Sequence, residues 1–368
     1  MRQQRTSIPT LIALTLIASL STLAGCAGPI DGPRDRIGAL PFPGMFTLYR
    51  PADPDNLGRH RYHRTPRVFR PDEMENGIVY TTRAGFLDVA HVRITIDSVR
   101  FCAARMRAAM RERRHVLTLP TIEGSTFFVS LRYPLVGPTS APAHDAAHDA
   151  GDGADGAASA MDDDDRFGDE LAIRSGQRLA YLMMTWHEVI TWFGHRTVIF
   201  IDESPSSFTY DDAMSHVVGL RVAGRALRDR TARSFDEAVT VALRAELAEL
   251  GAVSREQTEQ AVRAVEGLWW SRGRPLKRQL DVGLVDDAVR PWLVPGLPFA
   301  RGEEIAEPFA LPTLTEVMGL DCSGFYSVRI DPGIPEADRM RELLPSGSRL
   351  FHADRDLPLL VEATRRQM

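Results

Sequence analysis

Apolar residues recur at helical spacing from Phe86 through Val89, Ala90, Ile94, Val99, Cys102 and Met106 to Met110, which predicts a helix over 86–111. A longer one is predicted over 169–193. There Leu171, Leu179, Leu182, Met183, Trp186, Ile190 and Phe193 form a broad apolar face, and Gly194 supplies a stop. "SFDEAVTVALRAELAELGAVS" predicts another, with Ser234 as N-cap, Glu237 at the capping-box position and Gly251 at the end. "SREQTEQAVRAVEGLWW" repeats that design from Ser254. "ESPSSFTYDDAMSHVVGLRVAGRAL" reads as a loop entering a helix, with Ser207 or Thr209 as cap and Asp211 and Asp212 favourable to its dipole. β-branched and aromatic runs predict strands at "TFFVSLRYPL" (126–135), "RTVIFID" (196–202) and "FYSVRIDP" (325–332). "DLPLLVEATRRQ" closes the chain as a helix. The expectation is a mainly α (α+β) fold: a helical domain with a few short strands and long irregular connections, the Pro-rich stretch up to Pro312 among them.

Two stretches break the pattern. Residues 137–166 ("GPTSAPAHDAAHDAGDGADGAASAMDDDDR") hold almost no large apolar side chains and no period. Such a segment cannot bury enough surface to offset its ordering entropy, so a disordered acidic insert is expected there. At the N-terminus a basic start (Arg2, Arg5) precedes the apolar run "IPTLIALTLIASLSTL" and then "LAGC", Leu23–Cys26. This is the layout of a secretory signal, too short and too rich in Ser and Thr for a comfortable span. Its end resembles a bacterial lipobox, which implies cleavage before Cys26, acylation of that cysteine and stable anchoring through its acyl chains. Ala27, rather than Asp, follows the cysteine and points to the periplasmic face of the outer membrane, with the outer face of the inner membrane as the alternative. The expected organisation is therefore a signal peptide (1–25), a lipidated tether with irregular structure (26–70) and one globular domain (71–368) interrupted at 137–166.

Composition adds limits. The net charge of −5 is mild, and the arginines are scattered without an aromatic-basic ladder, so no nucleic-acid partner is expected; the expected partner is the membrane, through Cys26. Beyond Cys26 there are two cysteines, Cys102 and Cys322, which either pair in an oxidising envelope or remain buried thiols. Cys322 in "GLDCSGF" is at most a weak thiol-nucleophile signal, and Trp269-Trp270 is read as core packing before ligand stacking.

The candidate chemistry lies in two helices. Asp88-x-x-His91 places an acid and an imidazole on one helix face, as in one half of a helical di-metal site. No second carboxylate-x-x-His is found in a core helix, so a full di-metal site is not expected. His187-Glu188 invites comparison with the HExxH helix, but Thr191 stands where the second histidine belongs, and His195 is two turns away, about 12 Å along a helix. The candidate pocket is thus Asp88, His91, His187 and Glu188. A divalent metal there would use His91, His187, Glu188 and Glu203. Without a metal, Asp88 or Glu188 would orient a histidine as a base. The plainer reading is a satisfied polar cluster, with Asp88 capping a helix after Gly85.

"GIVYTTRAGFLDVAHVR", "WHEVITWFG" and "SPSSFTYDDAMSHVVGLRVA" together resemble a bacterial lipoprotein family catalogued as domain of unknown function 4056. The resemblance covers most of the mature chain apart from the acidic insert and implies a single envelope domain. It carries no activity and no catalytic residues with it. His216 stands where the resemblance implies Asn, and it is left out of the expected site. The function expected is a lipid-anchored envelope lipoprotein with a His/acid pocket; the alternatives are a metal-assisted or His/acid hydrolase acting on an envelope substrate, and a scaffold without chemistry.

Overall fold

The helix expected over 86–111 is divided by a hairpin. In the structure, a computed structural model, Phe86–Asp88 belong to a strand, β2 (Gly85–Asp88), which pairs antiparallel with β1 (Ile78–Thr81). Both strands are buried throughout. A strand covered on both faces shows no alternation, and a short apolar run of that kind cannot be told from helix by period. Gly85 opens β2 at φ +72°, and a Cβ there would lie 2.2 Å from the carbonyl oxygen of Trp292, so this turn needs glycine. The structure describes residues 51–61, 77–121, 123–133, 154–196, 204–271, 274–300, 306–345 and 347–368, with backbone alone over 154–165. Cys26, Glu203, residues 197–202 of the strand expected at 196–202 and residues 137–153 of the acidic insert lie outside them.

α1 (Val89–Arg111) runs directly from β2, and α2 (Ala154–Trp192) and α3 (Asp212–Arg228) pack on it. The approach is close. A Cβ on Gly176 of α2 would come within 2.8 Å of the Ala103 Cβ, and one on Gly219 of α3 within 2.6 Å of the Thr95 Cβ. α2 begins at Ala154, well before the expected Asp169 and inside the segment expected to be disordered. Alanine-rich sequence has high helix propensity, and it extends a helix already nucleated by the amphipathic part that follows.

Beyond these helices lie α4 (Phe235–Glu249) and α5 (Arg255–Ala264). Ser254 and Gln257 complete a capping box on α5. At α4 only half of one forms: Ser234 accepts from Glu237 N, while the Glu237 carboxylate takes Arg233 instead. The cap of α3 is Asp211 rather than Ser207 or Thr209.

A four-stranded antiparallel sheet is built from β3 (Val116–Pro120), β4 (Thr126–Leu131), β5 (Tyr326–Asp331) and β6 (Phe351–His352), in the order β6-β5-β4-β3. Val129 is the common register point, opposite Leu117 on one side and Val328 on the other. Phe127, Val129 and Leu131 turn inward, where Trp186 of α2 meets Phe351 edge-on at 5.6 Å and donates to Ser125 Oγ at 2.9 Å. α6 (Ala337–Arg341) and α7 (Ala353–Gln367) close the chain. With seven α-helices, this sheet and several two-stranded ladders among the described residues, the fold is mixed α+β rather than mainly helical. Among the described residues three of the ladders are only two residues long, two of them in the Pro-rich region, and so short a strand shows no period that could announce it.

All described residues belong to one unit, Arg36–Met368. Part of the stretch expected as irregular tether is docked on it: Ala52, Leu57 and His60 are buried, Ala52 N donates to Ile78 O, and His60 Nε2 lies 3.0 Å from Asp97 Oδ1. The pairing considered for Cys102 and Cys322 is not formed. Both are free and buried, and Cys102 faces Met183 Sδ at 3.9 Å, held there by the α1–α2 contact. Trp269 packs against Trp292, Tyr210 and Phe86. Among the described residues no helix is long and apolar enough to cross a membrane.

Candidate functional site

Three chain segments deliver acids and imidazoles to the buried junction of α1, α2 and α3. The end of β2 supplies Asp88, the N-cap of α1, and His91 follows one turn later. The C-terminal part of α2 supplies Glu188, and the start of α3 supplies Asp211, Asp212 and, one turn on, His216. Asp88, Glu188, Asp211, Asp212 and His216 are all buried; His91, with its side chain 14% exposed, is the member nearest solvent.

The polar atoms divide by direction. One atom of most groups is tied to the scaffold. Asp88 Oδ1 accepts from Ala90 N at 2.8 Å, and Glu188 Oε2 from Phe208 N at 2.7 Å. Asp212 Oδ2 accepts from Thr209 N (2.6 Å) and Thr209 Oγ1 (2.9 Å). Other atoms at the junction have no such partner: Asp88 Oδ2, Asp212 Oδ1, both oxygens of Asp211, His91 Nδ1 and His216 Nε2 are buried without a well-formed hydrogen bond. His91 Nδ1 lies 3.0 Å from Asp88 Oδ2 and 3.5 Å from Asp212 Oδ1. His216 Nε2 lies 3.8 Å from Glu188 Oε1, and its ring meets that of His91 edge-on at 5.6 Å.

The tautomer of His216 follows from one proton. Thr95 Oγ1 donates to the His91 carbonyl at 2.8 Å, so its only hydrogen is used. It must then accept from His216 Nδ1, 3.0 Å away. The neutral His216 ring therefore presents a lone pair at Nε2 toward the carboxylate of Glu188. Two electron-pair donors facing each other in a buried site call for a proton or a cation between them.

Electrostatics point the same way. Burial lowers the pKa of His216, leaving its ring neutral at pH 7. Burial also opposes ionisation of Glu188, but the neighbouring histidines, His216 first, more than offset it and hold that carboxyl low. For this pair the direction that stands is an ionised carboxylate beside a neutral imidazole. Asp211 is pushed up to about 7 by burial and the Asp88 charge, and Asp212 well above its ordinary value by burial, Glu188 and Asp211. Burial disfavours charged His91, yet Asp88, Asp212 and Glu188 outweigh it and raise its pKa well above the usual value. Four carboxylates are thus crowded beyond what two imidazoles can balance. Among the described residues no Lys or Arg pairs with any of the four.

Asp88, His91 and Asp211 place donor atoms within 4.8 Å of one another, and so do His91, Glu188 and Asp212. Such sets suit a divalent ion with mixed nitrogen and oxygen ligands. Of the expected quartet, Asp88, His91 and Glu188 are brought together. His187 is not among the converging donors; its Nδ1 lies 3.2 Å from Glu123 Oε1. Successive helix residues diverge by about 100°, so only one of two neighbours can face the junction. His195 pairs with Glu336. Asp211, Asp212 and His216 were missed. Their signal was Asp212-x-x-x-His216, an acid and a histidine one turn apart, hidden because acids at a helix start ordinarily serve the dipole.

The 204–208 turn completes the wall. Ser207 Oγ donates to Glu188 O, and Phe208 takes φ +54°, rare for a bulky residue, which aims its N–H at the Glu188 carboxylate. Strain of this kind costs roughly 1–3 kcal/mol and persists where the surroundings over-determine it. Cys322, raised in pKa mainly by burial, is not an activated thiol.

No curated protein and no solved structure matches the chain. A family model does, over residues 22–122 and 156–282. The matched segments hold the five residues of the two donor sets and His216, and much of the acidic insert falls in the gap between them. The chain belongs to the family described as protein of unknown function DUF4056.

Proposed function

We propose that this chain is a cell-envelope lipoprotein, anchored through acylated Cys26, whose folded domain holds a divalent metal at Asp88, His91, Glu188, Asp211, Asp212 and His216. The observation that carries the metal reading is the convergence of donors in which Asp88, Asp212 and His216 each have one atom tied to the scaffold and one left without a partner, beside Asp211 with both oxygens unpartnered. Its activity is metal-assisted hydrolysis of an envelope substrate. Closed structural zinc sites are typically built from cysteine and histidine, whereas mixed histidine and carboxylate sets are used where water must be bound and activated. His91, the most exposed member, marks the side from which substrate and water enter. Outer-membrane placement, facing the periplasm, follows from Ala27 after the lipobox.

The test is elemental analysis of the purified full-length protein beside a His91→Ala variant. Stoichiometric metal in the first, much reduced in the second, is the expected result. A protein that carries no metal and takes up neither Zn²⁺ nor Mn²⁺ in dialysis would falsify this reading and leave a scaffold.

A further inference from the structure

Resting on that metal reading, we propose that the centre is dinuclear: one ion held by Asp88, His91 and Asp211, the other by Glu188, Asp212 and His216. Two converging donor sets share His91, yet a single Nδ1 can bond only one ion. His91 Nδ1 lies nearer Asp88 Oδ2, at 3.0 Å, than Asp212 Oδ1, at 3.5 Å, and so belongs to the first set. The second set then needs its own nitrogen, and His216 supplies it. Thr95 holds the His216 Nδ1 proton, and Nε2 faces Glu188 Oε1 at 3.8 Å. Each ion thereby receives one imidazole and two carboxylates. Asp212 Oδ1, within 3.5 Å of His91 Nδ1, stands at the join of the two sets, where a bridging ligand belongs.

Charge supports two ions over one. In the deprotonated form that metal ligands require, the four carboxylates and two neutral imidazoles would carry four negative charges, and among the described residues no Lys or Arg pairs with them. One divalent ion leaves half of that charge buried and unmatched; two cancel it. The chain also presents the carboxylate-and-histidine unit twice, as Asp88-x-x-His91 entering α1 and Asp212-x-x-x-His216 entering α3, with Glu188 coming from α2. That is the inward-facing logic of helical two-metal sites, in which the ions sit roughly 3.5–4 Å apart. Two imidazoles in the set favour Zn²⁺, Mn²⁺ or Fe²⁺ over Ca²⁺ and Mg²⁺.

The experiment strips the full-length protein with chelator and titrates it with Mn²⁺, reading stoichiometry by calorimetry and coupling by electron paramagnetic resonance. Two equivalents per chain with an exchange-coupled spectrum are expected. His216→Ala and the milder Glu188→Gln, each checked for native circular dichroism, should bind one equivalent with the spectrum of an isolated ion. His195→Ala, remote from the site, should keep two. One equivalent in the unmodified protein overturns the dinuclear proposal and leaves the metal reading standing, as do two equivalents that never couple. No binding of Mn²⁺ or Zn²⁺ overturns both.

Discussion

A single hydroxyl sets the chemistry of His216. Thr95 has one proton to donate and gives it to the carbonyl of His91, so the imidazole must hold its own proton at Nδ1 and leave Nε2 bare. Partners of this kind typically change metal affinity about 10–100-fold. Thr95→Val keeps the shape and removes the hydroxyl. It is expected to weaken Zn²⁺ or Mn²⁺ binding by about that factor, while far-ultraviolet circular dichroism stays unchanged. Equal affinity in a metal-buffered titration would show that Thr95 does not hold the tautomer. At this scale the sequence was partly legible. Asp88 and His91 announce themselves because a helix cap and the residue three along lie one turn apart. Asp211 and Asp212 did not, since an acid before a helix is ordinary capping chemistry until its surroundings are known to be dry.

The helices hold the site only while they stay close and in register. Gly176 and Gly219 admit that approach along α1. At the far end of the same pair, Glu170 of α2 joins α3 through Arg228, whose Nε and Nη2 both donate to its carboxylate at 2.7 Å, and it also accepts from Arg174 at 2.8 Å. The hydrogen bond from Arg228, more than any other contact, holds the Glu170 carboxyl below its usual pKa. A carboxyl whose pKa is lower in the folded state stabilises fully above its unfolded value, about 4.3, and loses that contribution as pH falls through the folded value. Glu170→Gln is therefore expected to cost about 1 kcal/mol in urea denaturation at pH 7, with the gap to the unmodified protein closing as pH drops below about 4. A gap of the same size at pH 3 and pH 7 would mean that the ion pair contributes nothing. Element boundaries were legible where capping chemistry is local, as at Ser254. They were not where burial on both faces erased the period, as in β1 and β2.

For the whole molecule, the proposed anchor places the metal site in the envelope. Cys26→Ala is expected to abolish fatty-acid labelling and to release the protein from the membrane fraction. A variant that still labels and sediments with membranes would refute the lipid anchor. The sequence by itself determined which helices carry an apolar face, that the chain resembles the family to which it belongs, and that Asp88 stands one turn ahead of His91 as a candidate helix cap; each follows from spacing along the chain or local composition. Only the tertiary structure decided that His91 meets His216 rather than His187, that Glu188 turns inward while its neighbour pairs with Glu123, and that Cys102 and Cys322 stay apart. The reason is physical. A helix's period sets the angle between its own residues, but which face of one helix lies against which face of another depends on side chains far apart in sequence, here Thr95 against Gly219 and Ala103 against Gly176.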